Sequence, residues 1–558
     1  MKSSATARSI ALMASFLIVL SACSSSEPPA TVGESPGVSS SPTPKAGKFD
    51  PPVELSIVGE VYPTLFFDGG SSYEKNSVFD AYERDLGIKL TKKWTIASNQ
   101  YSQKVTLSIA SGDIPDLMRV TASELQQLID NDMLADLSAV YDKFASPQTK
   151  KFMMVDGGKQ LDSAKYNGKL MAIPATDSPY NAAQFVYIRN DWLQKLNLQP
   201  PKTMSDLLAI SEAFTNRDPD GNGKKDSYGF AAQKEIYNAN YGFLGMFYGH
   251  HAYPQTWVKD ATGNLVYGSI QPQMKAALKV LQDLYKSGQI DPEFYTKDHA
   301  KESQLAYVDQ IGMTFGPFYA GNSPLWAVAV KNRKLTQDWS VFPLVSADSS
   351  PAKTVAPLGV KGYYVVSKKT KNPEAVIQLL NHWIKIDSEP LTAENRPFKY
   401  GKLDQGLWQL NPLVVTPLDQ YARLGGLMSK AVAAKDNSSV KDDVLGSLMY
   451  QETMAFLNGD DEKWGTWMKT RPGGSMELMN QYLKEDRYMF DEFISTPTLT
   501  MASKKSILDQ KELEVMTSII TNKAPIEEFD KFVEEWKTLG GSQITKEVNE
   551  WYAAKGKK

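Results

Sequence analysis

Tyr82-Glu-Arg-Asp-Leu-Gly-Ile-Lys-Leu90 carries a helical pattern into a glycine and leaves it as a strand. Upstream, Val78 and Phe79 share the apolar stripe of Tyr82 and Leu86, and Gly87 is the stop. Downstream, Ile88-Lys-Leu-Thr-Lys-Lys-Trp94 reads as extended chain. Working outward, the short β-type run Val53-Glu-Leu-Ser-Ile-Val58 precedes this unit, and a loop from Gly59 to Gly70 joins the two. A second helical run with Val105, Leu107 and Ile109 follows, ending in Ala110-Ser-Gly-Asp-Ile-Pro-Asp-Leu-Met-Arg119. Strand, helix, strand, helix, strand in this order predicts a parallel α/β sheet.

At 558 residues the chain exceeds one ordinary domain and predicts two or more lobes, and a hydrophobic share of 42% is enough for a large core. Lys and Arg number 61 against 64 Asp and Glu, with no basic block, which argues against a nucleic-acid partner. A single cysteine, Cys23, leaves no pair for a disulfide, so stability must come from packing.

Cys23 stands at the end of a distinctive N-terminus. Lys2 and Arg8 lead into the apolar run Ile10–Leu20, about half of the ~20 residues a membrane-spanning helix needs, as in an export signal. Leu20-Ser-Ala-Cys23 resembles the lipobox of bacterial lipoproteins, which implies cleavage after residue 22 and a lipid on the Cys23 thiol. One acyl chain binds a membrane only marginally, whereas lipoproteins of this type carry two or more, so the anchoring is durable. Residues 1–22 are then a signal peptide and 23–48 a lipidated, disordered tether. The tether is rich in Ser and Pro, has almost nothing apolar to bury, and has a coil reach of about 25–30 Å.

Three phrases in fixed order carry a second resemblance: Tyr82–Leu90, then Ser111-Gly-Asp-Ile-Pro-Asp116, then Tyr166-Asn-Gly-Lys-Leu-Met-Ala-Ile-Pro174. Val186-Tyr-Ile-Arg-Asn-Asp-Trp-Leu-Gln-Lys-Leu196, Tyr285–Pro292, Gly312-Met-Thr-Phe-Gly-Pro-Phe318, Val341–Leu344 and Gly362–Ser367 extend it. The set resembles the extracellular solute-binding proteins of ABC importers, in particular the maltose- and oligosaccharide-binding group and its larger lipoprotein members. It covers roughly residues 53–385, and the last third matches more loosely. The resemblance implies an α/β fold of the periplasmic-binding-protein-like type II kind, two discontinuous lobes joined by a hinge that closes on ligand. The expected organisation is lobe 1 over 49–175, lobe 2 over 176–342, a return to lobe 1 over 343–400, and mainly lobe 2 with C-terminal helices over 401–558. The crossings are expected near Met171–Tyr180 and Trp339–Val345. Pro525–Leu539 predicts an amphipathic helix, with Ile526, Phe529, Phe532, Val533, Trp536 and Leu539 on one stripe and Gly540-Gly541 as its stop. Trp383 and Trp536 are assigned to core.

The sharpest local motif is Asp218-Pro-Asp220-Gly-Asn222-Gly-Lys224-Lys-Asp226. Oxygen-bearing side chains at positions 1, 3, 5 and 9, with glycines at 4 and 6, follow the spacing of an EF-hand-like loop for a structural Ca2+. Lys224, at position 7, would offer its backbone carbonyl. Gly229 stands where a full EF-hand has its bidentate Glu, and Ser227 where oligosaccharide-binding relatives carry a closing acid. Gly221–Lys224 lacks the Ser/Thr and the preceding strand of a phosphate loop. His250, His251, His299 and His382 show no metal-site spacing and are assigned to loops or surface, and no Gly-x-Ser-x-Gly elbow appears.

A sugar site needs flat aromatic faces and a few polar groups. Gly316-Pro-Phe318 matches the family's Gly-Pro-aromatic turn, whose aromatic stacks on sugar, which makes Phe318 the first candidate, with Tyr319 and Trp326 behind it. Glu60, Tyr62 and Phe66 follow the first strand and Arg119 and Thr121 the third, at strand carboxyl ends where α/β ligands gather. Tyr180, at the first crossing, and Tyr237 and Tyr241 complete the candidates. The expected function is a monomeric, non-catalytic receptor that captures an oligosaccharide and presents it to the membrane subunits of an ABC importer. Ser24 carries no obvious inner-membrane retention signal, which places the anchored receptor on the outer face of a Gram-positive cytoplasmic membrane. The alternatives are the same receptor class for a peptide or phosphodiester, and a surface polysaccharide-degrading enzyme.

Overall fold

The computed structural model describes residues 47–62, 65, 67, 69–390, 392 and 406–555. Cys23 and all but the last two residues of the expected tether lie outside them. Helix α1 (Ser77–Leu86) starts where the Asn76 side chain accepts from the Phe79 N–H, and ends at Gly87 with φ of 63°. A Cβ on Gly87 would lie 2.2 Å from the Phe49 carbonyl oxygen, so the turn needs glycine on two counts. The chain leaves it as β2 (Ile88–Ala97), parallel to β1 (Val53–Val61). Helix α2 (Tyr101–Ser111) then leads into β3 (Leu117–Val120).

Here the sheet differs from the expected all-parallel one. Strand β3 and the strand Ala172–Thr176 both pair antiparallel with Val360–Val366. That central strand arrives from the other lobe, so it enters from the hinge side and runs against its neighbours. Asp116 joins this sheet to β1: its carboxylate accepts from the Ser56 N–H at 2.8 Å and the Ser56 hydroxyl at 2.6 Å. One hydrophobic core fills this body, with Leu55, Val78, Tyr82, Ile88, Leu117 and the buried face of the helix Glu374–Ser388. Trp383 lies in it, its Nε1 donating to the Val415 carbonyl at 2.7 Å.

The second body is built on a four-stranded sheet ordered Trp339–Phe342, Gln184–Arg189, Ile311–Pro317, Tyr228–Phe230. Strand alternation sends Val186 and Ile188 into one core, and Phe185 and Tyr187 into another on the opposite face. The last third of the chain supplies cover for both faces. Leu499–Ile520 and Glu528–Trp536 pack into the first of these cores, and Gln420–Ala434, Trp464–Thr470 and Ser475–Lys484 into the second. Trp536 is buried, stacked on Tyr267 at 5.0 Å and 7°. The helix carrying it ends at the expected Gly540-Gly541: Gly540 leaves helical conformation at φ of 138°, the chain kinks there, and a further helix begins at Ser542. Leu539 is turned out to solvent instead of joining the buried stripe.

The chain passes between the bodies three times. The first passage follows Thr176. The second falls at 357–359, later than the expected Trp339–Val345, because Trp339–Phe342 is an edge of the second sheet and Thr354–Ala356 pairs with Tyr488–Phe490. The third lies between Val415 of the first core and Ala422 of the second, so the return to the first body runs to about residue 415 instead of the expected 400. The passages are tied together. Asp177 N–H donates to the Gly359 carbonyl at 2.7 Å, Thr176 and Thr416 exchange bonds at 3.1 Å, and Gln160 Nε2 reaches the carbonyls of Asp177, Leu358 and Gly359.

Candidate functional site

A cleft of about 1040 Å³ lies between the two bodies, with the three passages along its base. On the first body, Glu60 at the end of β1 and Arg119 on β3 form an ion pair of 3.3 Å. The Arg119 guanidinium sits over the Tyr101 ring, and burial together with a hydrogen bond to Glu60 pushes the Tyr62 phenol well above its ordinary range. Lys92, on β2, lies over the rings of Tyr73 and Phe79 and bonds the Tyr73 carbonyl; burial lowers its ammonium to about 8.

The facing wall belongs to the second body. Phe318 follows the strand Ile311–Pro317; its carbonyl accepts from Ser475 Oγ at 2.6 Å, and its ring meets Tyr421 at 4.7 Å and Tyr319 edge-on at 5.5 Å. Phe318 is 4% exposed and Tyr319 39%, so Tyr319 offers the open face and Phe318 backs it. Lys469 lines the same wall, 9% exposed, with burial lowering its ammonium to about 8. At the base, Lys361 pairs with Asp177 at 2.6 Å. The Ser178 hydroxyl and the Asn181 side-chain oxygen are buried there with no hydrogen-bond partner among the described residues. Trp408, 44% exposed, contributes a further aromatic face. Open aromatic faces, unsatisfied polar atoms and walls on two separate bodies make a site that can enclose a polar, flat-faced solute.

Of the sequence candidates, Glu60, Tyr62, Arg119, Phe318 and Tyr319 line this cleft. Phe66 lies outside the described residues. Thr121 instead caps the helix Ala122–Asp130 in a capping box with Glu124. Tyr180 packs on Tyr488 at 4.7 Å, and Trp326 donates from Nε1 to the Glu462 carbonyl away from the cleft. Tyr237 is half-buried against Phe247 and Glu512, and Tyr241 is buried against His299. For these last four, the apolar ring found its partner inside the second body. Among the histidines, His250 is half-buried on the Met246 carbonyl and His382 lies on a core helix against Tyr82.

Sequence reasoning missed Lys92, Tyr101, Trp408, Tyr421 and Lys469. Lys92 sits in a strand adjoining a recognised phrase and was open to inspection. The last three come from the final third, where no phrase matched, and only the packing of that third brings them to the cleft.

The loop Asp218–Asp226 lies elsewhere, between the helix Met204–Asn216 and the strand Tyr228–Phe230. Asp218 accepts from the Gly221 and Gly223 N–H groups, and the Asp220 carboxylate lies against it, burial and this contact raising Asp220. The Asn222 amide donates to Asp220 at 2.5 Å and Asp226 at 3.1 Å. Ser227 faces away, its hydroxyl bonded to the Phe214 carbonyl at 2.7 Å. No three His, Cys, Asp or Glu side chains gather into a metal-type cluster among the described residues. The donor set nevertheless suits a hard cation, because two carboxylates in contact need a proton or a cation between them.

Residues 77–393, more than half of the chain, match the family described as bacterial extracellular solute-binding protein, and the chain belongs to that family. It is similar to the fructooligosaccharide ABC transporter substrate-binding protein FusA of Streptococcus pneumoniae, at 24% identity over 58% of this chain and 60% of FusA. The match thus spans less than two thirds of that relative. Lipoprotein LipO of Bacillus subtilis is 22% identical over 86% of this chain and 90% of its own. Among solved structures, an HMO-binding, ABC-transporter-associated solute-binding protein from Bifidobacterium longum infantis shares the fold. Its TM-score is 0.62 at 17% identity, over 90% of this chain and 98% of that one. No helix among the described residues is long and apolar enough to cross a membrane.

Proposed function

We propose that this protein is a cell-surface receptor that captures an oligosaccharide between its two bodies and delivers it to an ABC importer. The cleft carries the reading. Tyr319 and Trp408 present open ring faces for sugar C–H surfaces, and Ser178 and Asn181 hold polar atoms whose desolvation a ligand hydroxyl would offset. Family membership and the transport relative support the delivery step. The receptor binds without turnover and acts as a monomer.

Cys23 is the proposed lipid anchor, holding the receptor at the outer face of a Gram-positive cytoplasmic membrane, and the LipO similarity supports it. The loop Asp218–Asp226 is proposed to hold one structural Ca2+ through Asp218, Asp220, Asn222, the Lys224 carbonyl and Asp226. The ion stiffens the loop and takes no part in ligand capture.

Incubating the purified protein with neutral and acidic oligosaccharides tests the receptor reading. Saturable binding by calorimetry with unchanged sugar at the end is expected; product formation, or no binding to any sugar, overturns it.

A further inference from the structure

The cleft carries more positive charge than it neutralises. Arg119 is matched by Glu60 and Lys361 by Asp177, each within ion-pair distance. Lys92 and Lys469 line the same cleft, and neither has a carboxylate within ion-pair distance among the described residues. Lys92 bonds a carbonyl and lies over two ring faces, and the acid that influences it, Glu74, stands beyond ion-pair distance. Lys469 is nine-tenths buried, and the acid that influences it, Glu452, is already bonded to Lys463 at 3.0 Å and Thr466 at 2.7 Å. A buried ammonium without a counter-ion is costly, and a hydrophobic side chain of similar length would fill the same space without that cost. One lysine is on each wall, so an anion entering the cleft meets a cation from both bodies only when they close upon it.

Resting on the receptor reading above, we infer that the captured oligosaccharide is acidic, and that Lys92 and Lys469 receive the carboxylates of its uronic-acid residues. A carboxylate gives each ammonium the charge-assisted hydrogen bond the protein withholds. A neutral sugar leaves both charges desolvated as the cleft shuts. Selection against neutral chains then arises from the two lysines, while the aromatic faces contribute equally to both kinds of ligand.

Calorimetric titration with trimers of galacturonic and mannuronic acid, the methyl ester of each, and a neutral galactose trimer tests this. At least one acid trimer should bind about tenfold tighter than its ester, with the margin shrinking as salt is raised. Lys469→Met, which keeps the stem and removes the charge, should erase about a threefold share of that margin, weakening acid binding and sparing the neutral ester a desolvated charge. Lys92→Met should do the same independently, and the wild-type comparison of acid with ester stands even if a variant fails to fold. Ester or neutral trimers binding as tightly as the acids would overturn the inference while sparing the receptor reading. No saturable binding by any of them would overturn both. A sulfated galactose trimer outcompeting the uronates would replace the carboxylate with a sulfate ester and so refute the assignment.

Discussion

At the scale of single residues, burial decides what each group is for. Phe318 is the aromatic that the Gly-Pro turn singles out, but its ring is covered by Tyr319 and Tyr421, so its removal disturbs the wall. Trp408 has an open face in the cleft, and its removal subtracts a platform the proposed sugar would use. Trp408→Ala should therefore weaken oligosaccharide binding about tenfold, ~1.4 kcal/mol, with the melting temperature unchanged. Phe318→Ala should lower both affinity and melting temperature, and calorimetry beside a thermal melt separates the two. Glu302 is a different case, fully buried, with one oxygen accepting from the Ala232 N–H and the other without a hydrogen-bond partner among the described residues. Burial raises its carboxyl to about 8, from 4.5 in the open chain. Between those two values the folded state holds a proton that the unfolded state has lost, so stability is greatest at low pH and falls as pH rises from about 4.5 to 8. Glu302→Gln mimics the protonated form. It should remove this part of the slope, on the order of 5 kcal/mol across the window, as read by urea unfolding at several pH values.

At the scale of elements, the loop Asp218–Asp226 and the three passages behave differently. The loop is closed on one side by Asp and Asn side chains and on the other by Lys195, whose ammonium bonds the carbonyls of Asp218 and Pro219. A bound calcium would stabilise the fold by mass action without touching the cleft. Chelation should lower the melting temperature by a few degrees and leave sugar affinity unchanged, and Asp220→Ala should make the melt insensitive to chelator. The loop's place between its helix and strand was legible because its turn residues are contiguous. So was the unit from α1 through Gly87 to β2, which local periodicity and one obligatory glycine define. The direction of Val360–Val366 was not legible, because it depends on where a distant segment re-enters the first body. The same holds for Trp408, Tyr421 and Lys469: nothing local marks them, and their place at the cleft comes from packing hundreds of residues away. Tyr237 and Tyr241 show the converse, since an aromatic in the right lobe meets the local requirement for sugar stacking yet is satisfied by its own core.

At the scale of the whole molecule, the proposed receptor role raises the question of what would turn binding into a signal for an importer. The two bodies have separate cores and line the cleft from opposite walls, so the proposed ligand's contacts with both would be complete only when the cleft is shut. Ligand then shifts the population toward the closed form by its differential affinity for it. The hinge that allows this is narrow: three passages bound side by side, with Gln160 holding two of them through three carbonyls. Gln160→Ala loosens that clasp without reaching the ligand directly, and should change the balance of open and closed forms more than the sugar contacts themselves. The chain's single cysteine makes the measurement simple. With Cys23→Ser as background, dyes on Asp113→Cys in the first body and Asp283→Cys in the second report closure by single-molecule energy transfer. Saturating oligosaccharide should move the population to the shorter distance, and Gln160→Ala should shift the ligand-free distribution while both forms remain recognisable. A distance unchanged by a ligand that calorimetry shows to be bound would mean that the cleft holds its sugar without closing, and the importer would then have to read something other than the closed shape.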